Sequence, residues 1–274
     1  MHDRGRWSVD LIVSYLLTLA LLAFILLPIV VVVAGAFSNA EWLGLSSEQW
    51  VAQSGAGGRW FRYVWGLYHP MIFFSLRLAL LSVIICLLIG VPAGYVLGRR
   101  LFRGSRLVEE LVVIPLSVPG IALSIALIQT YTVVRGSWWL VLCGHLLYTI
   151  PFMVRATTAT VRSLDLASQE RAAVSLGAGF LQRFFLVVLP AVRHAAVVGS
   201  LLVFAISWGE FNVSFLLNTP VHQTYPAALY STFTFNSFQV SAAATTIFLA
   251  GIVPVLFALQ LIGGFELVQV EQGA

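Results

Sequence analysis

Residues 72–98 read IFFSLRLALLSVIICLLIGVPAGYVLG, and Arg77 is the only charged side chain among them. A helix needs about 20 predominantly apolar residues to cross the hydrocarbon core of a bilayer, so this stretch is long enough to span a membrane. Five further stretches are similarly long and apolar; they run from about Leu11 to Phe37, Leu107 to Tyr131, Ser137 to Val154, Ala195 to Leu217 and Ala242 to Phe265. The sequence therefore predicts an all-α membrane protein with six transmembrane helices.

The composition excludes several classes of protein. The chain has 274 residues, of which 59% are hydrophobic and 9% are charged, whereas an ordinary soluble domain has about 25% charged residues. A soluble globular enzyme is therefore excluded. All fifteen cationic residues are arginine, and the absence of lysine excludes a Walker A phosphate loop or a Schiff base in this chain.

Two of the apolar stretches have additional features. The third is interrupted by Pro115, Pro119 and Gly120, and such residues are tolerated in a membrane helix when neighbouring groups satisfy the freed backbone. We therefore expect a kink there, in a helix packed inside the bundle. The first stretch is longer than the 7–15 residues of a signal-peptide core, so we expect it to be a membrane span.

Arginine placement predicts the orientation. Eleven of the fifteen arginines lie in segments on the same side of the predicted spans as the N-terminus, and arginine-rich segments are typically cytoplasmic. Six spans then place both termini in the cytoplasm. The predicted organisation is a cytoplasmic N-terminus at 1–10, a transmembrane domain at 11–265 with a cytoplasmic loop at 155–193, and a cytoplasmic tail at 266–274.

The predicted outer connection between the first two spans is rich in aromatic residues, namely Trp42, Trp50, Trp60, Tyr63, Trp65 and Tyr68. Tryptophan and tyrosine favour the headgroup level of a membrane. We therefore expect this segment to lie at the outer surface, and a docking surface for an external partner is the alternative.

The predicted cytoplasmic loop, residues 155–193, reads RATTATVRSLDLASQERAAVSLGAGFLQRFFLVVLPAVR. Apolar residues recur at helical spacing on both sides of residues 177–179, which indicates two short amphipathic helices separated by a break. Long loops between packed elements are often functional. A helix lying on the inner leaflet is the alternative interpretation.

The spacing within this loop resembles the loop signature of ABC importer permeases. That signature is Glu-Ala-Ala, three residues, Gly, nine residues, an aliphatic residue, one residue and Leu-Pro. Here Ala172-Ala173, Gly177, Val187 and Leu189-Pro190 take these places, while Arg171 stands where the signature has glutamate and Glu170 precedes it. The segments 115–120, 144–155 and 207–211 are similar to the family as well. The chain most resembles permeases for spermidine/putrescine, ferric iron, thiamine, sulfate and phosphonate.

The resemblance implies a type I ABC importer permease fold in a bacterial inner membrane. It also implies that the loop docks on a cytoplasmic ATPase, and that the contacting set is Glu170, Arg171, Ala172, Ala173, Leu176, Gly177, Ala178 and Pro190. Small side chains there would allow close helix approach, and Glu170, Arg171 and Arg183 would form charge pairs at the rim. The implied partners are two ATPase subunits, a second permease subunit, expected to be non-identical, and an external substrate-binding protein.

The resemblance also implies that this chain is a transport subunit rather than an enzyme. It would bind no cofactor, because ATP and Mg²⁺ would be used by the partner ATPase. The expected role is half of an alternating-access pathway for a small solute. We find no catalytic or metal-binding constellation in the sequence and expect no nucleic-acid partner.

Glu210 is the principal charged residue within the predicted spans, and such residues usually mark function. Ser207, Glu210 and Ser214 fall on one face of a continuous helix and are the candidate pathway residues, where Glu210 could attract a cation. The alternative is a structural Glu210 near a bend at Gly209. We expect His145 to be a core residue.

Glu109 and its neighbour Glu110 stand at the start of the third predicted span. Acidic residues are favourable at a helix N-terminus, so we expect the pair to cap that helix. Catalysis by these two carboxylates is the less favoured reading.

Two other classes of protein remain open on the sequence alone. An intramembrane enzyme would require polar groups that converge within the spans, for which Glu210, His145 and scattered serines are available. A self-sufficient secondary transporter often shows inverted repeats with matched broken helices, and we find no such pair in the sequence.

Overall fold

The computed structural model describes the backbone of residues 4–37 and 58–272 and the side chains of 11–37, 58–258 and 261. Within these ranges the chain forms helices joined by short turns, with no β-strand. The longest helices are α1 (Arg4–Phe37), α2 (Arg59–Gly98), α5 (Trp138–Ser163) and α12 (Phe238–Gln272). Trp42 and Trp50 of the predicted outer segment lie outside the described residues.

The described helices account for four to six membrane crossings. Four single helices are long and apolar enough to cross a bilayer, namely Leu11–Phe37, Arg59–Gly98, Trp138–Ser163 and Phe238–Ala258. Two bent helix pairs, described next, raise the number to six if each pair forms one crossing. The prediction of six spans corresponds to this upper count.

The third predicted span is two helices rather than one kinked helix. Helix α3 (Ser105–Val113) and a 3₁₀ turn (Ile114–Ser117) are followed by α4 (Gly120–Thr130), and the two parts are bent by 103°. Val118 is extended, with ψ at 128°, as expected because a residue before proline disfavours the helical region. The proline pair thus separates two helices.

The loop and the fifth predicted span form a series of short helices. These are α6 (Leu166–Ser175), α7 (Phe180–Arg183), a π-helical turn (Phe184–Val188), α8 (Leu189–Ala191), α9 (Arg193–Gly209) and α10 (Asn212–Leu217). The segments Phe180–Ala191 and Arg193–Gly209 are bent by 70°. The predicted span Ala195–Leu217 is divided between α9 and α10, because the backbone is extended at Glu210. This break lies where the structural alternative for Glu210 placed a bend, at Gly209.

The chain divides into two compact units, one within Met1–Leu67 and Leu229–Leu249, the other within Tyr68–Ala228 and Ala250–Ala274. The first unit includes a contact between the rings of Phe37 and Phe61, with centroids 4.9 Å apart. The helix α11 (Tyr225–Phe235) follows α10 in the sequence.

In the second unit, α2 and α5 pack through a seam of three glycines. Gly90, Gly94 and Gly98 recur every fourth residue of α2, and a Cβ built on each would lie 2.6–2.7 Å from a side-chain carbon of Met153, Thr157 or Val161, respectively. The Thr158 hydroxyl also donates to the Gly94 carbonyl at 3.2 Å. Small residues at this spacing let helix backbones approach closely in membranes, so the seam fixes α2 directly against α5.

Candidate functional site

The predicted two-helix loop is confirmed in outline, although its first residues belong to α5. Residues 155–163 continue α5, and Asp165 then caps α6 by accepting a hydrogen bond from the Ser168 N–H at 3.3 Å. On the other side of the break, the Gln182 side chain accepts from the Gly179 N–H at 2.9 Å. Each short helix therefore begins with a side chain that satisfies a backbone donor.

Gly177 ends α6 in a left-handed turn, with φ at +84°. The Ala178 N–H donates to the Ala173 carbonyl at 3.0 Å, and the Gly177 N–H donates to the Val174 carbonyl at 2.9 Å. This pair of hydrogen bonds is the Schellman motif, in which glycine is the favoured residue because it has no Cβ. The sequence predicted the break; the hydrogen bonds explain why it falls at Gly177.

The turn presents an apolar surface on the outside of the chain. Val174, Leu176, Phe180 and Leu181, which we call the loop surface, are all exposed, and Leu176 is 89% exposed. The sequence-predicted residues are distributed around it: Arg171, Ala172, Gly177 and Pro190 are exposed, and Ala173 and Ala178 are half-buried. Contiguous exposed apolar side chains of this kind mark interaction sites.

Glu170 differs from the predicted arrangement, because it is buried instead of lying at the rim. The Tyr95 hydroxyl donates to Glu170 Oε2 at 2.9 Å, Arg99 Nε lies 3.1 Å from Oε1, and Arg183 Nη1 lies 4.0 Å from Oε2. The ring of Phe184 packs edge-on against Tyr95, with centroids 5.9 Å apart. This Glu170 cluster joins the end of α2 to α6 and α7.

A second ion pair links α3 to α5. Arg162 Nη1 donates to Glu109 Oε1 at 3.0 Å, and Nη2 donates to the other carboxylate oxygen. The predicted capping role of Glu109 and Glu110 was wrong, because α3 begins at Ser105 and both residues lie beyond its first turn. A bidentate arginine–carboxylate pair fixes both position and orientation.

Within the helical bundle, His145 and three serines from distant parts of the chain form one hydrogen-bonded set, which we call the His145 cluster. Its members are Ser82, His145, Ser207 and Ser214. His145 Nδ1 lies 2.8 Å from Ser207 Oγ, His145 Nε2 lies 2.9 Å from Ser214 Oγ, and the Ser207 hydroxyl donates to Ser82 at 3.3 Å. With the proton on Nδ1, His145 donates to Ser207, and Ser214 donates to Nε2. All four side chains are buried, as expected for a core histidine.

Glu210 caps the short helix that follows the break. Its two carboxylate oxygens accept hydrogen bonds from the Val213 and Ser214 N–H groups, both at 2.8 Å, and Oε2 lies 4.0 Å from His145 Nε2. Ser207 precedes this break and Ser214 follows it, and their hydroxyls lie at the two different nitrogens of His145. The geometry matches the structural alternative for Glu210, and a substrate contact remains a prediction.

The α3–α4 break and the α9–α10 break border one open cavity of about 360 Å³. Val118 and Gly120 line it from the α3–α4 break, and Glu210 and Asn212 line it from the α9–α10 break. At the α3–α4 break, the Tyr148 hydroxyl donates to the Val118 carbonyl at 2.7 Å. In membrane proteins, irregular backbone occurs where it is buried in protein or lines a cavity, and both of these breaks line a cavity.

The convergence of His145, Glu210 and the serines is the arrangement that an intramembrane enzyme would need. Both imidazole nitrogens already face serine hydroxyls, and the Glu210 oxygens hold backbone N–H groups. Ser207 is 1% exposed and Ser214 is 0% exposed, so neither hydroxyl is accessible to a substrate. Among the described residues, no three His, Cys, Asp or Glu side chains form a group that could hold a metal ion.

Several characterised proteins are similar in sequence to this chain. It is 25% identical over 244 residues to the spermidine/putrescine transport system permease protein PotC of Escherichia coli strain K12, an alignment that covers 86% of this chain and 89% of PotC. It is 29% identical over 179 residues to the E. coli molybdenum transport system permease protein ModB, covering 58% and 77%. It is 30% identical over 144 residues to the molybdate/tungstate transport system permease protein WtpB of Pyrococcus abyssi, covering 51% and 58%.

The fold also has a solved counterpart. A chain from the crystal structure of a bacterial ABC transporter involved in the import of the acidic polysaccharide alginate superposes with a TM-score of 0.68 at 17% identity. The superposition covers 98% of both chains. At this identity the likeness establishes the fold alone.

Residues 90–263 match the family model described as binding-protein-dependent transport system inner membrane component. The match covers more than half of the chain and includes the loop surface, the Glu170 cluster and, apart from Ser82, the His145 cluster. Together with four to six apolar helices, it shows a multi-pass membrane protein. The chain belongs to the binding-protein-dependent transport system inner membrane component family, the permease subunits of ABC importers.

Proposed function

We propose that this chain forms half of the translocation pathway of a type I ABC importer and that its loop surface docks on the cytoplasmic ATPase. The observation that carries the proposal is the exposure of Val174, Leu176, Phe180 and Leu181 around the Gly177 turn, at the loop where the family signature lies. Docking there would remove apolar area from water, the dominant favourable term in association.

The contacts around the loop suggest how ATPase movement would reach the membrane. The Glu170 cluster joins α6 and α7 to the cytoplasmic end of α2, and the glycine seam joins α2 to α5. Because packed interfaces shift as units between discrete arrangements, a displacement of the loop would be transmitted to both long helices. ATP hydrolysis would then drive alternating access without catalysis by this chain.

The cavity between the two helix breaks is the proposed part of the pathway within this chain. Glu210 lines it, whereas the hydroxyls of Ser207 and Ser214 are buried against His145. The named relatives serve a polyamine in one case and molybdenum or molybdate in others, substrates of opposite charge. We therefore propose a small solute of the polyamine, iron, thiamine or oxyanion class.

The remaining components follow from the same proposal. Two ATPase subunits would use ATP and Mg²⁺, a second and non-identical permease would complete the pathway, and an external binding protein would deliver the solute. Both termini would face the cytoplasm of a bacterial cell, with the chain in the inner membrane. No cofactor would be bound by this chain.

A charge placed in the loop surface tests the proposal. Leu176→Asp should abolish co-purification of the ATPase subunit that accompanies the tagged wild-type chain, because the carboxylate would be buried in an apolar contact. Val221→Asp is the matched control, since Val221 is also exposed, at 83%, but lies in the α10–α11 connection. Retention of the ATPase by the Leu176 variant would contradict the proposal.

A further inference from the structure

The exposed face of the loop helices carries very little charge. From Asp165, which caps α6, to Arg183, which ends α7, the charged residues are Asp165, Glu170, Arg171 and Arg183. Glu170 is 6% exposed and is engaged by Tyr95 and two arginines, so its carboxylate is not available to a partner. Arg171 is exposed, whereas Arg183 lies 4.0 Å from Glu170 and Asp165 caps the other end of α6. Arg171 is therefore the exposed charge beside Val174 of the loop surface.

Arg171 also stands at the edge of the loop surface. Residues three apart on a helix are neighbours on its surface, which places Arg171 beside Val174. The Ser175 hydroxyl donates to the Arg171 carbonyl at 3.1 Å. The backbone of Arg171 therefore belongs to the hydrogen-bonded last turn of α6. A guanidinium bordering an apolar contact is partly desolvated there and requires an acceptor from the partner.

We infer that Arg171 supplies a cation at the edge of the contact between this permease and its ATPase, and that the ATPase groove facing Arg171 presents a carboxylate. The inference rests on the proposed function, because it assumes that the loop surface docks on an ATPase. Arginine binds carboxylate in a planar bidentate arrangement, and a facing cation would instead produce repulsion that selects against that ATPase. The pairing would therefore contribute to the choice of ATPase.

A lipid surface is a poorer match for these residues. Helices that lie on membranes carry many cationic residues on their polar face, whereas α6 carries Arg171 with Gln169, Ser168 and Ser175. The left-handed Gly177 turn also presents open space around its Cα, with no atom within 4 Å of a built Cβ. A partner backbone can therefore approach the turn closely.

Zero-length cross-linking tests the inference directly, because the chain contains no lysine. In Arg171→Lys, the new amine would be the single side-chain amine of the chain, and a carbodiimide would join it to a carboxylate in contact with it. Arg103→Lys is the matched control, since Arg103 is exposed and lies in the α2–α3 connection. We expect an amide-linked permease–ATPase product from the Arg171 variant only, with the linked Asp or Glu identified by mass spectrometry.

Charge reversal provides the second measurement. Arg171→Glu should weaken the complex about tenfold or more at low salt, because it opposes like charges at a partly desolvated contact. Arg103→Glu should leave the affinity unchanged. Rising salt should weaken the wild-type complex and leave Arg171→Ala almost unaffected, since screening acts on the charge pair.

The outcomes separate the inference from the proposal on which it rests. One outcome is that the ATPase co-purifies with the Arg171→Lys variant without a cross-link while Arg171→Glu binds as the wild type does. In that case the inferred ATPase carboxylate facing Arg171 is wrong, and ATPase docking stands. If Leu176→Asp also retains the ATPase, the docking proposal itself fails. Cross-linking to lipid phosphate or to another subunit in place of the ATPase would overturn the inference as well.

Discussion

Glu210 closes a break in a helix with its own side chain. Because a carboxylate has two acceptor oxygens, it satisfies the Val213 and Ser214 N–H groups together, and these are donors that a helix start leaves without an intrahelical partner. The same residue borders the cavity between the helix breaks. Its two candidate roles, structural and substrate-binding, therefore predict different effects of one substitution.

We expect Glu210→Gln to lower stability and to leave the uptake per folded protein unchanged. The amide retains one acceptor oxygen and directs an NH₂ group at a backbone donor, which should cost about 1 kcal/mol in the free energy of unfolding. Thermal unfolding in detergent and uptake normalised to folded protein are the measurements. Glu110→Gln is the control, since Glu110 is exposed. Wild-type stability combined with lost uptake would assign Glu210 to the substrate.

Gly177 provides a second prediction at the residue scale. Its φ of +84° is unfavourable for side chains with a Cβ, and a built Cβ meets no atom within 4 Å. We therefore expect Gly177→Val to destabilise the turn by about 1–2 kcal/mol through backbone strain alone. Gly177→Asn should cost less, because asparagine tolerates the left-handed region. Hydrogen exchange of the α6 and α7 amides measures the difference, and equal exchange in both variants would contradict a left-handed turn.

At the scale of the elements, the glycine seam holds α2 and α5 together by close backbone approach. A Cβ on Gly94 would lie 2.6 Å from Thr157 Cβ and 2.9 Å from the Val154 carbonyl oxygen. The second neighbour is backbone, so it cannot move aside as a flexible side chain could. The seam thus transmits force between two helices and tolerates little added volume.

We expect Gly94→Ala to destabilise the protein by about 1–3 kcal/mol, the usual cost of overpacking. Gly66→Ala, in the same helix, is the control: a built Cβ at Gly66 meets nothing within 4 Å, and alanine is the better helix former by about 1 kcal/mol. Thermal unfolding in detergent should therefore show opposite shifts for the two variants. A Gly94 variant as stable as the wild type would mean that α2 and α5 separate readily.

Local features of the elements could be predicted from the sequence, and long-range contacts could not. The break at Gly177 and the division of the third span at Pro115, Pro119 and Gly120 follow from backbone preferences of single residues. By contrast, Glu170 meets Tyr95 across 75 residues and His145 meets Ser214 across 69. Periodicity along one helix carries no information about such partners. The face predicted for Ser207, Glu210 and Ser214 assumed an unbroken helix, and the break at Glu210 invalidated that assumption.

At the scale of the whole molecule, the predicted orientation depends on the number of crossings between two connections. Arg103 follows the second span and Val221 follows the fifth, so three crossings separate them if each bent pair forms one span. An odd number of crossings places them on opposite sides of the membrane, and the arginine distribution predicts that residue 103 is on the cytoplasmic side. The number of crossings depends on the two bent pairs, because a re-entrant pair enters and leaves on the same face of the membrane. One re-entrant pair would change the number of crossings between Arg103 and Val221 from odd to even.

We expect Val221→Cys to react with a membrane-impermeant maleimide in right-side-out vesicles, and Arg103→Cys to react only in inside-out vesicles. Cys143→Ser is the appropriate background, because Cys143 is exposed whereas Cys86 is buried. Both test positions are exposed in the described structure, so access to the thiol is limited by the membrane alone. The reversed pattern would invert the orientation and move the loop surface away from any cytoplasmic ATPase. Labelling of both positions from one side would mean an even number of crossings, in which one bent pair enters and leaves on the same face.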